Sequence, residues 1–294
     1  MAVAMSPTDA CPLCASKDLE VVYDLGPARS PHDVPGAIAR CRGCAMWFKL
    51  IAAPEMIEAA YQGDYGQDDS GAEYFAGERT RRLFREILKP LVGQGPGKEP
   101  KLLDIGAGPG TLVEEAGHLG FAAEGIDLSE ANVERARARG LKITKVSAEQ
   151  LSADGAFDVV TMLDIIEHVP APVEMLRAAY RALRPGGTAV IYTPNHRSAI
   201  VRVAQVMHRC GLRGPMYEIF GQNHVCFFDD RSLAAAVRHA GFEVRTQKIL
   251  AYDPRRPGQY VSFVNLAALT AIEMMAAPMR LGFRLLTYAT RPLQ

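Results

Sequence analysis

Four cysteines come as two pairs, Cys11-Pro12-Leu13-Cys14 and Cys41-Arg42-Gly43-Cys44, with 26 residues between the pairs. Gaps of two residues let each pair close into a knuckle, and four thiolates suit a tetrahedral Zn²⁺. Protein fills every ligand position in such a site, so the ion would be structural rather than catalytic. Neither pair opens a thioredoxin-like βαβ unit, which argues against a redox role. A second chemical signal is the run Asp104-Ile105-Gly106-Ala107-Gly108-Pro109-Gly110-Thr111. Glycines at these places let the backbone turn tightly and leave no side chain between it and a ligand. The spacing is Gly-x-Gly-x-Gly rather than the Gly-x-Gly-x-x-Gly of dinucleotide folds, and the loop alone admits many nucleotide cofactors. About 20 residues later comes Asp127, at the end of the next strand, where a carboxylate can accept hydrogen bonds from both hydroxyls of a ribose. Its other reading is an acid at a helix N-terminus beside the cap Ser129.

These residues need a scaffold that brings strand ends together. Strands are predicted at Lys101–Ile105, Ala122–Ile126, Ile143–Val146, Phe157–Leu163, Thr188–Thr193 and Phe242–Gln247. Helical periodicity lies between them, over Thr111–Leu119, Ser129–Arg139, Val173–Leu183 and Arg231–Ala240, with helix stops at Gly120, Gly140, Gly186 and Gly241. Alternation of this kind predicts an α/β fold, a parallel sheet covered by helices on both faces. The organisation reads as a zinc-binding module (1–50), a helical connector and linker (51–100), a cofactor-binding domain (101–258) carrying an insert (196–229), and an apolar tail (259–294). The connector holds an aromatic, acidic loop around Tyr61, Tyr65 and Tyr74. The tail is expected to be a last strand plus packing helices, or else to present an amphipathic surface to a lipid-like substrate, a partner subunit or a membrane surface.

The ordered series continues with Ser147-Ala148-Glu149-Gln150-Leu151, Leu163-Asp164-Ile165-Ile166-Glu167-His168, Arg184-Pro185-Gly186-Gly187 and Thr193-Pro194-Asn195. From first motif to last it resembles the class I S-adenosylmethionine-dependent methyltransferases, over about half the chain. The resemblance implies a Rossmann-like sheet of seven strands with one reversed. It implies that Gly106, Gly108 and Gly110 approach the methionine part of the cofactor and that Asp104 orients its amino group. Asp127 and Leu128 would serve the ribose end, Ala148 and Glu149 would flank the adenine, and Leu163 and Asp164 would lie alongside. Tyr65, with Tyr61, would close over the cofactor or pack a helix. The cysteine pairs together with this domain resemble a bacterial group of zinc-ribbon methyltransferases, many near glycan or natural-product genes. The deoxysugar C-methyltransferases of that group carry a further C-terminal domain, which is not expected here.

Methyl transfer needs positioning and sometimes a base. On a strand-end-to-helix turn, Asp164, Glu167 and His168 can face one cavity, with His168 as general base or positioning group. The motif is similar to the Glu-x-x-Glu-His of ubiquinone-pathway O-methyltransferases, where it is linked to a divalent metal; here Asp164 replaces the first Glu, which shortens the reach, and the oxygen-rich set would suit Mg²⁺, with His as a less usual ligand. A purely structural hydrogen bond is the third reading of His168. The insert reads as a lid over the acceptor, returning through Gly221-Gln222-Asn223-His224-Val225. His224 is there a second candidate base, or a satisfied loop histidine.

The 33 basic and 33 acidic residues balance. No net field draws nucleic acid or an anionic membrane, which disfavours RNA as the substrate. No secretory pattern opens the chain, so a cytoplasmic location is expected. The sequence therefore points to methyl transfer onto an oxygen or carbon of a bulky, partly apolar small molecule, on a sugar or lipid-linked intermediate. An RNA methyltransferase and a catalytically silent cofactor-binding scaffold are the alternatives.

Overall fold

Short alternating runs around the cysteine pairs form strands β1 (Leu19–Asp24), β2 (Ala37–Cys41) and β3 (Trp47–Leu50), paired antiparallel in that order. The second cysteine knuckle is the turn joining β2 to β3. The computed structural model describes residues 9–25, 36–51, 77–94, 97, 99–151, 154–220, 223–251 and 263–293. Tyr61, Tyr65 and Tyr74 lie outside the described residues, as does most of the expected connector. What is described of that connector begins with α1 (Glu78–Leu88), which buries Phe84, Ile87 and Leu88.

The alternating part then runs β4 (Lys101–Ile105), α2 (Thr111–His118), β5 (Ala122–Asp127), α3 (Glu130–Ala138), β6 (Ile143–Lys145), β7 (Phe157–Leu163), α4 (Pro172–Ala182) and β8 (Leu183–Pro194). Strands β4 and β7 are apolar nearly throughout because helices cover both faces of a parallel sheet. The helices begin where the chain supplies caps. Ser129 accepts the Asn132 N–H at the start of α3, and Pro172 opens α4 with a preset φ. The insert contributes α5 (Ala199–Arg209), α6 (Gly214–Phe220) and strand β9 (Cys226–Phe227). The chain continues with α7 (Asp230–His239), β10 (Glu243–Leu250), α8 (Phe263–Ala276) and β11 (Arg284–Thr290). Asp229 and Ser232 close a reciprocal capping box at the start of α7.

The large sheet has seven strands in the order β10-β11-β8-β7-β4-β5-β6. Strand β11 runs antiparallel between β8 and β10, and it is the reversed strand of the sheet. Two boundaries from the sequence shift as a result. Arg284–Thr290 belongs to the apolar tail by composition, yet it fills the gap between β8 and β10, so the domain does not end at residue 258. Gly186 is not a helix stop: α4 ends at Ala182 and β8 is already under way at Leu183. There Gly186 takes φ +76 and donates to Arg291 O, while Arg291 donates to Gly187 O.

The N-terminal module is not a separate bead. Strand β9 of the insert pairs with β3, placing Trp47 opposite Phe227 and Phe48 opposite Cys226, and completes a four-stranded sheet β1-β2-β3-β9. Cys11, Met46 and Phe48 share one continuous apolar core with Leu103, Met162, Val225 and Phe228.

A candidate site at the carboxyl ends of the strands

In the N-terminal module, Cys11 Sγ lies 3.4 Å from Cys44 Sγ, and Cys14 Sγ lies 3.5 Å from Cys41 Sγ. All four sulfurs fall within 4.8 Å of one another. A disulfide needs sulfurs at about 2 Å. Tetrahedral ligation at about 2.3 Å separates thiolates by about 3.8 Å, close to what is seen. Each knuckle turns through a residue of positive φ, Ala15 and Ala45, whose N–H donates back to Cys11 O and Cys41 O. Burial raises the Cys41 thiol, but the N–H of Cys44 and the neighbouring Cys14 thiol outweigh it and bring it down to about 7.

In the large sheet, the ends of β4, β5 and β7 carry the glycine loop and the residues beside it. Gly106, Gly108 and Gly110 all take positive φ, at 76°, 52° and 85°. A Cβ on Gly106 would sit 2.8 Å from Ile165 Cγ1, so both conformation and close approach require glycine there. Gly106 and Ala107 donate to Ile126 O, which ties the loop to β5. Asp127 Oδ2 accepts from Gly108 N and Oδ1 from Ser129 N, each at 2.8 Å. Both sequence readings of Asp127 thus meet: the acid does serve the start of α3, and it also fastens the loop. Burial raises its pKa against those two hydrogen bonds. Asp104 is buried and accepts from Thr161 Oγ1 at 2.6 Å. Burial, with the charge of Asp127 adding to it, pushes Asp104 up to about 7. Leu128 is exposed beside Asp127, Ala148 is buried at the short turn after β6 with Glu149 exposed next to it, and Leu163 closes β7.

The turn after β7 carries the second group. Asp164 takes φ +53 and its carboxylate pairs with the Arg284 guanidinium, which is buried and lies over the Tyr192 ring at 5.1 Å. Glu167 is buried, and its Oε2 accepts from Thr193 Oγ1 at 2.8 Å. Burial first, then the Asp164 charge, pushes Glu167 up to about 8. His168 is buried, with Nδ1 3.4 Å from Asn223 O. The insert brings His224 against it, ring centroids 4.6 Å apart and nearly perpendicular. Burial lowers His168 to about 4 and holds His224 well below its ordinary value, so both imidazoles are neutral near pH 7. One donor atom each from Glu167, His168 and His224 lie within 4.8 Å of one another. Asp164 does not join that cluster; its partner is Arg284.

A small cavity of about 20 Å³, room for about one water, adjoins the cluster. Glu167, His224 and His196 give it polar groups, while Phe220, Phe227 and Phe283 make it apolar. Strand β3 of the N-terminal module lies beside the segment that carries His224. Lys49 N donates to Val225 O, and Val225 N donates to Glu167 O, each at 2.8 Å, so β3 reaches the Glu167 backbone through one residue.

Thr193 belongs to the Thr193-Pro194-Asn195 motif, but nothing in that motif points to its bond with Glu167. Three residues of this site carry no local sequence signal: Thr161 is buried in a strand interior, and Lys49 and His196 come from segments far apart in the chain. Arg284 has one faint sign, a charge breaking an apolar tail.

The family description "Methyltransferase domain" matches residues 75–247, more than half of the chain. The ubiquinone biosynthesis O-methyltransferase of a Caulobacter species is 38% identical over 140 residues, covering 44% of this chain and 56% of that protein. The protein of the same name from Thiobacillus denitrificans is 32% identical over 182 residues, covering 59% of this chain and 75% of its own length. The chain spans only about half the length of the first relatives it matches. Among solved structures, a SAM-dependent methyltransferase from Archaeoglobus fulgidus superposes with a TM-score of 0.50 at 19% identity, over 74% of this chain and 96% of that one. The cyclase SpnF does so with a TM-score of 0.51 at 22% identity, over 74% and 83%. The fold is shared across these proteins; because it also carries a cyclase, the reaction has to be argued from the site.

Proposed function

The chain belongs to the methyltransferase domain family, and from that premise we propose that it transfers the methyl group of S-adenosylmethionine to an oxygen of a small-molecule acceptor. The observation that carries this reading is the pairing of the Asp127-fastened glycine loop with the Glu167–His168–His224 cluster, both at the carboxyl ends of the sheet strands. Ligands of open α/β sheets bind there. The relatives named above are O-methyltransferases, which favours oxygen over carbon.

The bound cofactor supplies an electrophilic methyl group on a sulfonium. The glycine loop and Asp127 would hold the cofactor, with the Asp104 carboxyl toward its amino end. Glu167 would take the acceptor's hydroxyl proton as the methyl group passes from sulfur to the acceptor oxygen. A carboxyl near 8 is a stronger base when ionised than an ordinary one, while the depressed histidines are weak bases that position the hydroxyl.

A divalent ion at the same cluster is the second reading. Glu167, His168 and His224 have the spacing to hold one. Two imidazoles and one carboxylate suit a borderline transition ion better than Mg²⁺. Such an ion would polarise the acceptor oxygen. In the N-terminal module we propose a structural Zn²⁺ on Cys11, Cys14, Cys41 and Cys44.

Calorimetric titration with the product cofactor S-adenosylhomocysteine tests the core of the proposal. One site per chain, weakened by Asp127→Ala, is the expected result. A folded protein that binds none would overturn it.

A further inference from the structure

Strand β5 holds the first half of the glycine loop, since Gly106 and Ala107 donate to Ile126 O and Gly108 donates to Asp127. The second half is a turn, closed where the Gly110 N–H meets Ala107 O at 3.0 Å. Pro109 inside that turn has no N–H, so its carbonyl is the only backbone handle it offers. That carbonyl accepts from Arg139 Nη1 at 2.8 Å.

Arg139 caps the C-terminal end of α3. Its other arm, Nη2, donates to Glu114 Oε2 at 2.6 Å, in the first turn of α2. One guanidinium therefore bridges the loop and the helix that the loop opens. The same Glu114 oxygen accepts from Arg81 of α1, and Arg81 also reaches the buried Glu115 at 2.7 Å. Burial raises the Glu114 carboxyl, but the hydrogen bonds from Arg81 and Arg139 outweigh it and hold it below the ordinary carboxylate value. It is thus ionised near pH 7, and both guanidiniums meet a charged acceptor.

The glycines explain why the loop needs this tie. Gly108 and Gly110 flank Pro109 with φ +52 and +85, and glycine loses the most conformational freedom on being ordered. A loop that orders only when its ligand arrives subtracts that entropy from the affinity, whereas a loop held beforehand does not. The planar fork of an arginine suits two acceptors at fixed positions better than a single ammonium would.

Resting on the methyltransferase reading above, we propose that Arg139 is a positioning residue for the cofactor. Held by Glu114, it fixes the Pro109 carbonyl and so presets the glycine loop for S-adenosylmethionine. Arg81 ties α1 to the same loop through the shared carboxylate. Docking of α1 and binding of the cofactor then favour each other, as linkage requires.

The experiment titrates S-adenosylhomocysteine into the full chain by calorimetry, with urea unfolding run alongside. Arg139→Met should weaken binding roughly three- to thirtyfold, since the lost bond has a charged donor but is partly exposed. Arg139→Lys keeps the charge without the fork and should recover part of the loss. Arg81→Met should weaken binding less, and should add little on top of Arg139→Met because both act through Glu114. Amide exchange at Gly110 in the ligand-free chain gives a readout apart from binding, and it should quicken in Arg139→Met. A merely structural role would lower the unfolding midpoint and leave the affinity of the folded chain unchanged; that result overturns the proposal. Full additivity of Arg81→Met and Arg139→Met overturns the coupling to α1. If Arg139→Met does not fold, Glu114→Gln carries the same test, and unchanged affinity and exchange there are equally fatal. A folded wild type that binds no S-adenosylhomocysteine would instead strike the reading on which the proposal rests.

Discussion

The Asp127 carboxylate accepts the Gly108 N–H at 2.8 Å, so the acid that ends β5 is bonded to the glycine loop within the chain's own fold. One carboxylate has about four lone-pair sites, and two backbone amides leave room for a ribose.

Asp127→Ala should therefore do two things at once. It removes an acceptor for the cofactor and unties Gly108 and Ser129. The expected loss in S-adenosylhomocysteine affinity is at least about 1.5–3 kcal/mol, as for a hydrogen bond to a charged group. Asp127→Asn should rescue little, because its NH₂ would face one of the two amide donors. Calorimetry of both variants decides; an asparagine variant that binds like the wild type would contradict this role.

Glu167 sets the expected pH dependence. Its pKa is raised from 4.5 to about 8, so near neutral pH the carboxyl is mostly protonated. Methyl transfer without added metal should rise with pH and level off above about 8. Glu167→Gln should remove that limb and slow transfer by roughly 10²–10⁴, with cofactor affinity kept. The folded chain holds this proton more tightly than the unfolded chain does. Its contribution to stability is thus full below 4.5 and fades as pH rises through about 8. His168 runs the other way: with its pKa down at about 4, it costs stability as pH falls from 6.5 toward that value.

Arg284 pairs with Asp164 across 120 positions of sequence. Arg284→Met should destabilise the fold in urea unfolding, by less than the about 3–5 kcal/mol of a fully buried pair because Asp164 is partly exposed. It should also move the Glu167 limb to higher pH, since the guanidinium opposes that upward shift. A limb that stays in place would mean that the two groups do not sense each other.

The cysteine cluster predicts one Zn²⁺ per chain in protein purified without added zinc. A strong chelator, or Cys41→Ser with Cys44→Ser, should loosen β1–β3 and expose Trp47, seen as a red shift of its emission. S-adenosylhomocysteine affinity should change far less, because β4 and β5 pair only with strands of the large sheet. A metal-free chain with unshifted emission would refute the site.

Much of this protein is written locally. The cysteine knuckles, the glycine loop and the acid after it are set by spacings of a few residues. So is the strand–helix alternation, because backbone turns and caps are local and each covered strand must be apolar. Glu167 and His168 are legible as a pair for the same reason. Their chemistry is not. That Glu167 becomes the raised acid and His168 the silenced base follows from burial, which depends on Thr193, His224 and Arg284 arriving from elsewhere in the chain. The apolar tail illustrates the limit best. Composition shows that Arg284 interrupts it, but only sheet order places that residue on the reversed strand, beside Tyr192 and Asp164. Likewise, two Cys pairs announce a module, while its docking against the insert rests on β3 meeting β9. Pairing between strands so distant in the chain has no local code; burial of apolar faces selects it, and that is a property of the whole fold.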